Sequence, residues 1–251
     1  MKLYEAMQLK EKEMICFVGA GGKTGLMQRL FGECAQQGRR VLVTTSTKMY
    51  RSQLTECCRL ILEEDEERLR KKLIDASAGE MFLAAGKGLT AGDKVIGLSR
   101  EFIDRLYISG LFDYILVEAD GAKGRALKAP ASFEPQAPER ATCALVVAGI
   151  DVLGRPLTEE YVHRCPIAAQ LSEQEPGTPI TAATMLSIFR YYRLILNQLS
   201  AEMRISAVLN KADGEDAKQR AEEVARVLLP EMGRALITST LLEEPVWEAE
   251  L

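Results

Sequence analysis

Short apolar runs alternate with amphipathic segments along most of the chain, and this alternation predicts a mostly parallel sheet with crossover helices. Residues 14–18 are apolar and run into glycines, which predicts a buried strand. Residues 24–37 follow with helical spacing through Leu26, Leu30, Phe31 and Cys34, and Gly38 stops that helix. Further strands are expected at 41–45, 59–62, 81–85, 114–117, 144–148, 205–209 and 235–238. Helices are expected at 66–78, at 99–109 with Ser99 as N-cap, over 181–199 as one long or broken element, and at 215–229. Residues 121–138 carry Lys, Ala and Pro without periodicity and read as an ordered loop, of a length often functional in a compact domain. The reading is one α/β domain over 1–251, P-loop NTPase-like, with a helical excursion at about 149–199.

The first strand and helix enclose Gly19, Ala20, Gly21, Gly22, Lys23 and Thr24. Glycines let successive backbone N–H groups curl inward toward phosphate oxygens, and the helix N-terminus adds partial positive charge. Lys23 would reach the terminal phosphates, and the Thr24 hydroxyl would give Mg²⁺ a hard oxygen ligand. Phe17 stands where the full phosphate-loop pattern has its first glycine. The loop is therefore the shorter Gly-x-x-Gly-Lys-Thr form, similar to that of Mur-type ligases.

Three other segments could complete a site. The strand at 114–117 ends in Glu118 and Asp120, on one side of an extended chain, and either could hold the metal or orient an attacking group. The second strand ends in Thr45, Thr47 and Lys48, suited to a metal-bound water, a phosphate or a substrate anion, although Thr and Ser also suit plain strand and turn chemistry. Asn210, Lys211 and Asp213 match the guanine-reading pattern Asn-Lys-x-Asp, in which a carboxylate accepts two N–H bonds that adenine does not offer. Asp213 would serve equally as a helix cap. The choice between ATP and GTP stays open.

Composition narrows the picture. A net charge of −4 lacks the electrostatic footprint of a general nucleic-acid binder, though local geometry can still bind an anion. The six cysteines include no Cys-x-x-Cys pair, and His163 is the single histidine, so a zinc site or a histidine triad is hard to build. The cysteines read as thiols of a reducing cytosol, with adjacent Cys57 and Cys58 the pair most open to redox chemistry. Residues 1–13 are charged, and no apolar run approaches a membrane span, so a cytoplasmic protein is expected.

With these segments in view, the chain resembles the YqeC family, described as accessory proteins for selenium-dependent molybdenum hydroxylases. The resemblance rests on residues 18–24 (Val-Gly-Ala-Gly-Gly-Lys-Thr), 44–49 (Thr-Thr-Ser-Thr-Lys-Met) and 116–130 (Leu-Val-Glu-Ala-Asp-Gly-Ala-Lys-Gly-Arg-Ala-Leu-Lys-Ala-Pro), with support from 151–156 and 210–213. Ala126 stands where the family pattern often has Pro. The resemblance implies a role in maturing a selenium- or molybdenum-containing cofactor, with a molybdenum hydroxylase or its cofactor as partner. It also suggests that Lys123, Arg125 and Lys128 grip an anionic cofactor or protein partner. The leading expectation is a Mg²⁺-dependent NTPase or phosphoryl-transfer enzyme using Lys23, Asp120 and Glu118. Alternatives are a nucleotide-gated delivery module with little intrinsic activity, and a Mur-like ATP-dependent ligase.

Overall fold

The computed structural model describes residues 1–56 and 58–248; Cys57 of the adjacent cysteine pair lies outside them. In chain order the elements are α1 (Leu3–Ala6), β1 (Glu13–Gly19), α2 (Lys23–Gln36), β2 (Val41–Thr45), β3 (Lys48–Tyr50), α3 (Arg51–Thr55), β4 (Arg59–Leu62), α4 (Glu66–Ser77), β5 (Phe82–Gly86), β6 (Gly88–Leu89), β7 (Lys94–Ile96) and α5 (Arg100–Ser109). There follow β8 (Tyr114–Glu118), β9 (Leu127–Lys128), β10 (Cys143–Gly149), β11 (Val162–His163), α6 (Cys165–Ser172), α7 (Ala182–Leu199), β12 (Arg204–Asn210), α8 (Glu215–Met232), β13 (Ala235–Thr238) and β14 (Val246–Glu248).

The central sheet has nine strands in the order β14-β13-β12-β10-β1-β8-β2-β5-β4. Every pairing in it is parallel except β13 with β14, so the fold is α/β with a mostly parallel sheet flanked by helices. The apolar runs are continuous because both faces of the sheet are buried. Along β1, Met14, Cys16 and Val18 pack with side chains of α5, α7 and α8, whereas Ile15 and Phe17 pack with α1 and α2. The β1–α2 loop therefore opens at the carboxyl edge of the middle of the sheet, where open α/β folds collect ligands.

Several boundaries follow from local chemistry. Ser99 caps α5 by accepting from the Phe102 amide, and Thr181 caps α7 by accepting from Thr184. The segment expected as a long or broken helix is one unbroken element, α7. The last long helix runs past its expected end at 229, through Pro230, to a left-handed Gly233. Proline in the final turn forfeits a single backbone bond, and the Gly233 amide closes the end onto the Leu229 carbonyl. Asp213 does not cap this helix, whose N-cap is Gly214 with no side-chain bond.

Short elements escape the periodicity. β3, β7 and β6 form a three-stranded antiparallel sheet, and β9, in the excursion after β8, pairs with β11, which follows β10. Among the described residues, no helix is long and apolar enough to cross a membrane.

Candidate functional site

The loop after β1 is fastened on several sides. The Gly19 amide donates to Asp120 Oδ2 at 3.1 Å, Ala20 to the Val147 carbonyl at 2.8 Å, and Gly21 to the Arg125 carbonyl at 3.0 Å. Gly21 has φ +75° and lies so close to β10 that a Cβ there would stand 2.0 Å from the Gly149 nitrogen. Only glycine fits such an approach. Asn210, at the end of β12, donates through Nδ2 to the Gly21 carbonyl at 2.8 Å, while its Oδ1 accepts from Thr238 at 2.9 Å.

α2 begins at Lys23 with Gly22 as its N-cap, and no side chain caps it. The first-turn amides of Lys23, Thr24 and Gly25 therefore project from the helix end without an intrahelical partner, at the positive pole of the helix. This is the local geometry of an anion site. The Thr24 hydroxyl accepts from Gln53 Nε2 at 3.1 Å.

β8 lies against β1 with Glu118 opposite Phe17. β8 ends at Glu118, so the strand alternation that would align residues 118 and 120 lapses, and the two carboxylates occupy different surroundings. Asp120 is wholly buried beneath the loop. Its Oδ2 accepts from the Gly19 amide and from Tyr192 Oη at 2.7 Å, and lies 3.2 Å from Lys128 Nζ. Its Oδ1 lies 3.1 Å from Lys23 Nζ without hydrogen-bond alignment. Burial alone would push the Asp120 carboxyl up; Lys23, Lys128, Tyr192 and the Gly19 amide outweigh it and hold the group below the usual carboxylate range. Lys128, also buried, bridges on to Glu134 at 3.1 Å, which Arg164 grips with two bonds.

Glu118 is only 7% exposed, and its carboxylate makes no hydrogen bond or ion pair among the described residues. Burial pushes its carboxyl above the ordinary range; Lys23 opposes that shift and Asp120 adds to it. Lys23 is also buried, and its Nζ donates to the Gly19 carbonyl at 2.5 Å.

Glu118 and the start of α2 line a cleft of about 750 Å³. Its walls carry Lys23, Lys48, Lys94, Lys123, Arg125 and Lys211, six cations against the single carboxylate of Glu118. Lys123 and Lys211 reach it from left-handed backbone, φ +50° and +64°. Lys211 is paired with Asp151 at 2.8 Å, and Lys23 with Asp120. Lys48, Lys94, Lys123 and Arg125 make no ion pair among the described residues, although Arg125 Nε donates to the Glu159 carbonyl. Such clustering on a chain of net charge −4 concentrates positive potential where an anion can enter.

Of the residues singled out by sequence, the cleft brings together Gly21, Gly22, Lys23, Thr24, Lys48, Glu118, Lys123, Arg125 and Lys211. Gly19, Ala20, Asp120, Lys128 and Asn210 lie behind it, holding the loop or its neighbours. Thr45 Oγ1 donates to the Glu118 carbonyl at 2.9 Å and accepts from the Thr47 amide at 3.0 Å, so both threonines shape the strand end. Asp213 is exposed and outside the cleft lining, and its Oδ1 accepts from Ser239. His163 is half-buried on β11, and burial, then Lys128 and Arg164, push its pKa down. Among the described residues no group of three or more His, Cys, Asp or Glu side chains could hold a metal ion. Any Mg²⁺ here would depend on Thr24, Glu118, phosphate oxygens and water, a ligand set that suits this ion. Sequence reasoning missed Tyr50, Gln53, Lys94 and Tyr192; none sits in a motif, and only the fold carries them to the site.

A model of the YqeC family, described as "YqeC protein", matches residues 15–166. The uncharacterized protein YqeC of Escherichia coli (strain K12) is 33% identical over 184 residues, covering 72% of this chain and 69% of its own length. Among solved structures, the 54 kDa signal recognition particle protein from Aeropyrum pernix K1, in complex with GDP, is 15% identical with a TM-score of 0.41, and this chain spans 44% of its length. FtsY from Mycoplasma mycoides is 12% identical with a TM-score of 0.36, over 96% of this chain and 66% of that one. A GTPase in apo form from Pyrococcus abyssi is 12% identical with a TM-score of 0.40, over 92% of each chain.

Proposed function

This chain belongs to the YqeC family, and we propose that it binds a nucleoside triphosphate with Mg²⁺ and hydrolyses it or transfers its terminal phosphoryl group. The observation that carries this reading is the uncapped N-terminus of α2, with Lys23 and Glu118 buried beside it in a cationic cleft. The amides of Lys23, Thr24 and Gly25 would receive phosphate oxygens. Lys23 is held to Asp120 by charge without an aligned hydrogen bond, so a phosphate can draw its ammonium away while Lys128 and Tyr192 continue to hold Asp120. Asp120 is a positioning residue on this reading, and so is Asn210, which fixes the Gly21 carbonyl.

Thr24 Oγ1 and Glu118 would hold Mg²⁺, which when bound offsets charge on the terminal phosphates. Glu118 would hold the metal through a water molecule, which leaves a carboxylate oxygen to take a proton from the attacking water. The water oxygen then bonds to the terminal phosphorus, the bond from that phosphorus to the bridging oxygen breaks, and the nucleoside diphosphate leaves with the bridging oxygen. Lys23 and the first-turn amides stabilise the charge that develops there. Asp213, beside Ser239, would read a guanine edge, with the Lys211 stem against the base. The cationic surplus of the cleft suits an anionic cofactor, and work in maturing a selenium- or molybdenum-containing hydroxylase cofactor fits the role described for the family.

One observation favours slow intrinsic turnover and a nucleotide-gated delivery role. Lys23 rests on Asp120 and the Gly19 carbonyl, so nucleotide must first displace it. Calorimetric titration with GTP and ATP, each with Mg²⁺, tests the assignment. Binding that disappears in Lys23→Ala, together with a GTP preference that disappears in Asp213→Ala, is the expected result. If neither nucleotide binds the wild-type chain, the reading fails.

A further inference from the structure

We propose that the cleft takes a second anion beside the nucleotide, a phosphate-bearing small molecule seated on the wall formed by β3 and β7. The proposal rests on the nucleotide reading only for what fills the opposite wall.

Strand alternation builds this wall. Tyr50 pairs with Lys94 across the antiparallel ladder, and Lys48 lies two residues from Tyr50, so the three share one face. Met49 and Val95, at the alternate positions, are buried in the core with α2 and β2. The wall is pinned to the sheet edge, because the Gly97 amide donates to the Thr47 carbonyl at 2.8 Å and Leu98 to the Thr45 carbonyl at 2.9 Å. Tyr50 is a large aromatic left 52% exposed, and Lys94 Nζ sits 4.4 Å from its ring centroid, which holds the ammonium in place.

Charge accounting calls for more than one anion. Lys23 and the α2 N-terminus suffice to meet a triphosphate whose metal already offsets much of its charge. Lys211 is neutralised by Asp151. Lys48 and Lys94 make no ion pair among the described residues and line the cleft with Lys123 and Arg125. Glu118, more than nine-tenths buried, lines the same cleft, and its carboxylate makes no hydrogen bond or ion pair among the described residues. On the nucleotide reading Mg²⁺ meets this carboxylate, which leaves the charge of Lys48 and Lys94 for another anion. The wall presents ammonium point charges and a phenol donor, groups that suit phosphate oxygens.

The test uses inorganic pyrophosphate as probe, titrated into the full chain already saturated with a non-hydrolysable triphosphate analogue, Mg²⁺ in excess. Pyrophosphate is expected still to bind. Lys48→Ala and Lys94→Ala should each weaken it about tenfold and change the analogue's affinity less than about twofold. Lys23→Ala should do the converse. Loss of pyrophosphate binding on saturation with the analogue would overturn the proposal, as would equal weakening of both ligands in the wall variants. If the wild-type chain binds no analogue, the nucleotide reading has failed on its own. The same titration of the nucleotide-free chain then decides the wall: weakening in Lys48→Ala and Lys94→Ala upholds it, and indifference overturns it.

Discussion

Glu118 and Asp120 are two residues apart, both buried, and driven in opposite directions. Burial dominates at Glu118 and raises its carboxyl, whereas at Asp120 Lys23, Lys128 and Tyr192 overcome burial and lower it. The consequences for stability therefore have opposite signs. A folded carboxyl with a raised pKa holds its proton more tightly than the unfolded chain does. Its contribution is complete below the ordinary carboxylate range and is lost as pH rises through the folded value. Asp120 behaves inversely, stabilising above the ordinary range and losing that effect as pH falls through its lowered value. Glu118→Gln removes a destabilising buried charge, so at pH 8 the variant should be more stable than wild type by about 1 kcal/mol. The gain should shrink toward pH 5. Hydrolysis should fall by about a hundredfold or more in the same variant. Thermal unfolding at the two pH values checks the sign, and a variant less stable at pH 8 would mean that Glu118 has a partner. The sequence alone treated these acids as interchangeable, because it shows a strand ending in carboxylates but not where the strand stops. Where β8 ends bears on which acid faces the cleft.

At the scale of elements, the long strands and helices were legible because each buries a face with its own period. β2, β4 and β13 match the expected bounds, and α5 begins at the expected Ser99 cap. Pieces of two or three residues, such as β6, β9 and β11, carry no periodicity and exist through their partners. Periodicity also names a buried face without saying what a side chain on it does. Tyr192 lies on the inner face of α7, and its hydroxyl donates to Asp120 beneath the β1–α2 loop. Through that bond α7 helps to set the loop that Asp120 holds by the Gly19 amide. Tyr192→Phe removes a buried bond to a charged acceptor and leaves the ring packing intact, which should cost about 2 kcal/mol. Urea denaturation of the two proteins measures the difference. A change below about 0.5 kcal/mol would show that Lys23, Lys128 and the Gly19 amide hold Asp120 without Tyr192.

For the whole molecule, the order of strands was the least legible feature. β1 and β2 are consecutive strands of the central sheet, yet β8 separates them, and nothing in the apolar pattern encodes that insertion. The insertion brings Glu118 beside the loop and, with it, the segment bearing Lys123 and Arg125. Net charge was equally uninformative, since an overall −4 conceals the cationic cleft that topology assembles. The loop is tied to β10 through Ala20, to β12 through Asn210 and to α7 through Asp120 and Tyr192. A ligand that binds it therefore stabilises the folded chain as a whole. Nucleotide at about a hundred times its dissociation constant should add about 2.7 kcal/mol, which for a chain of this size raises the melting temperature by roughly 5–10 °C. The shift should require Mg²⁺ and vanish in Lys23→Ala, whose Asp120 keeps Lys128, Tyr192 and the Gly19 amide and so should still fold. Scanning calorimetry with and without chelator measures it. A wild-type transition unmoved by millimolar ATP or GTP would mean that the uncapped end of α2 serves some other anion, and the six cations would then have to be explained without a nucleotide.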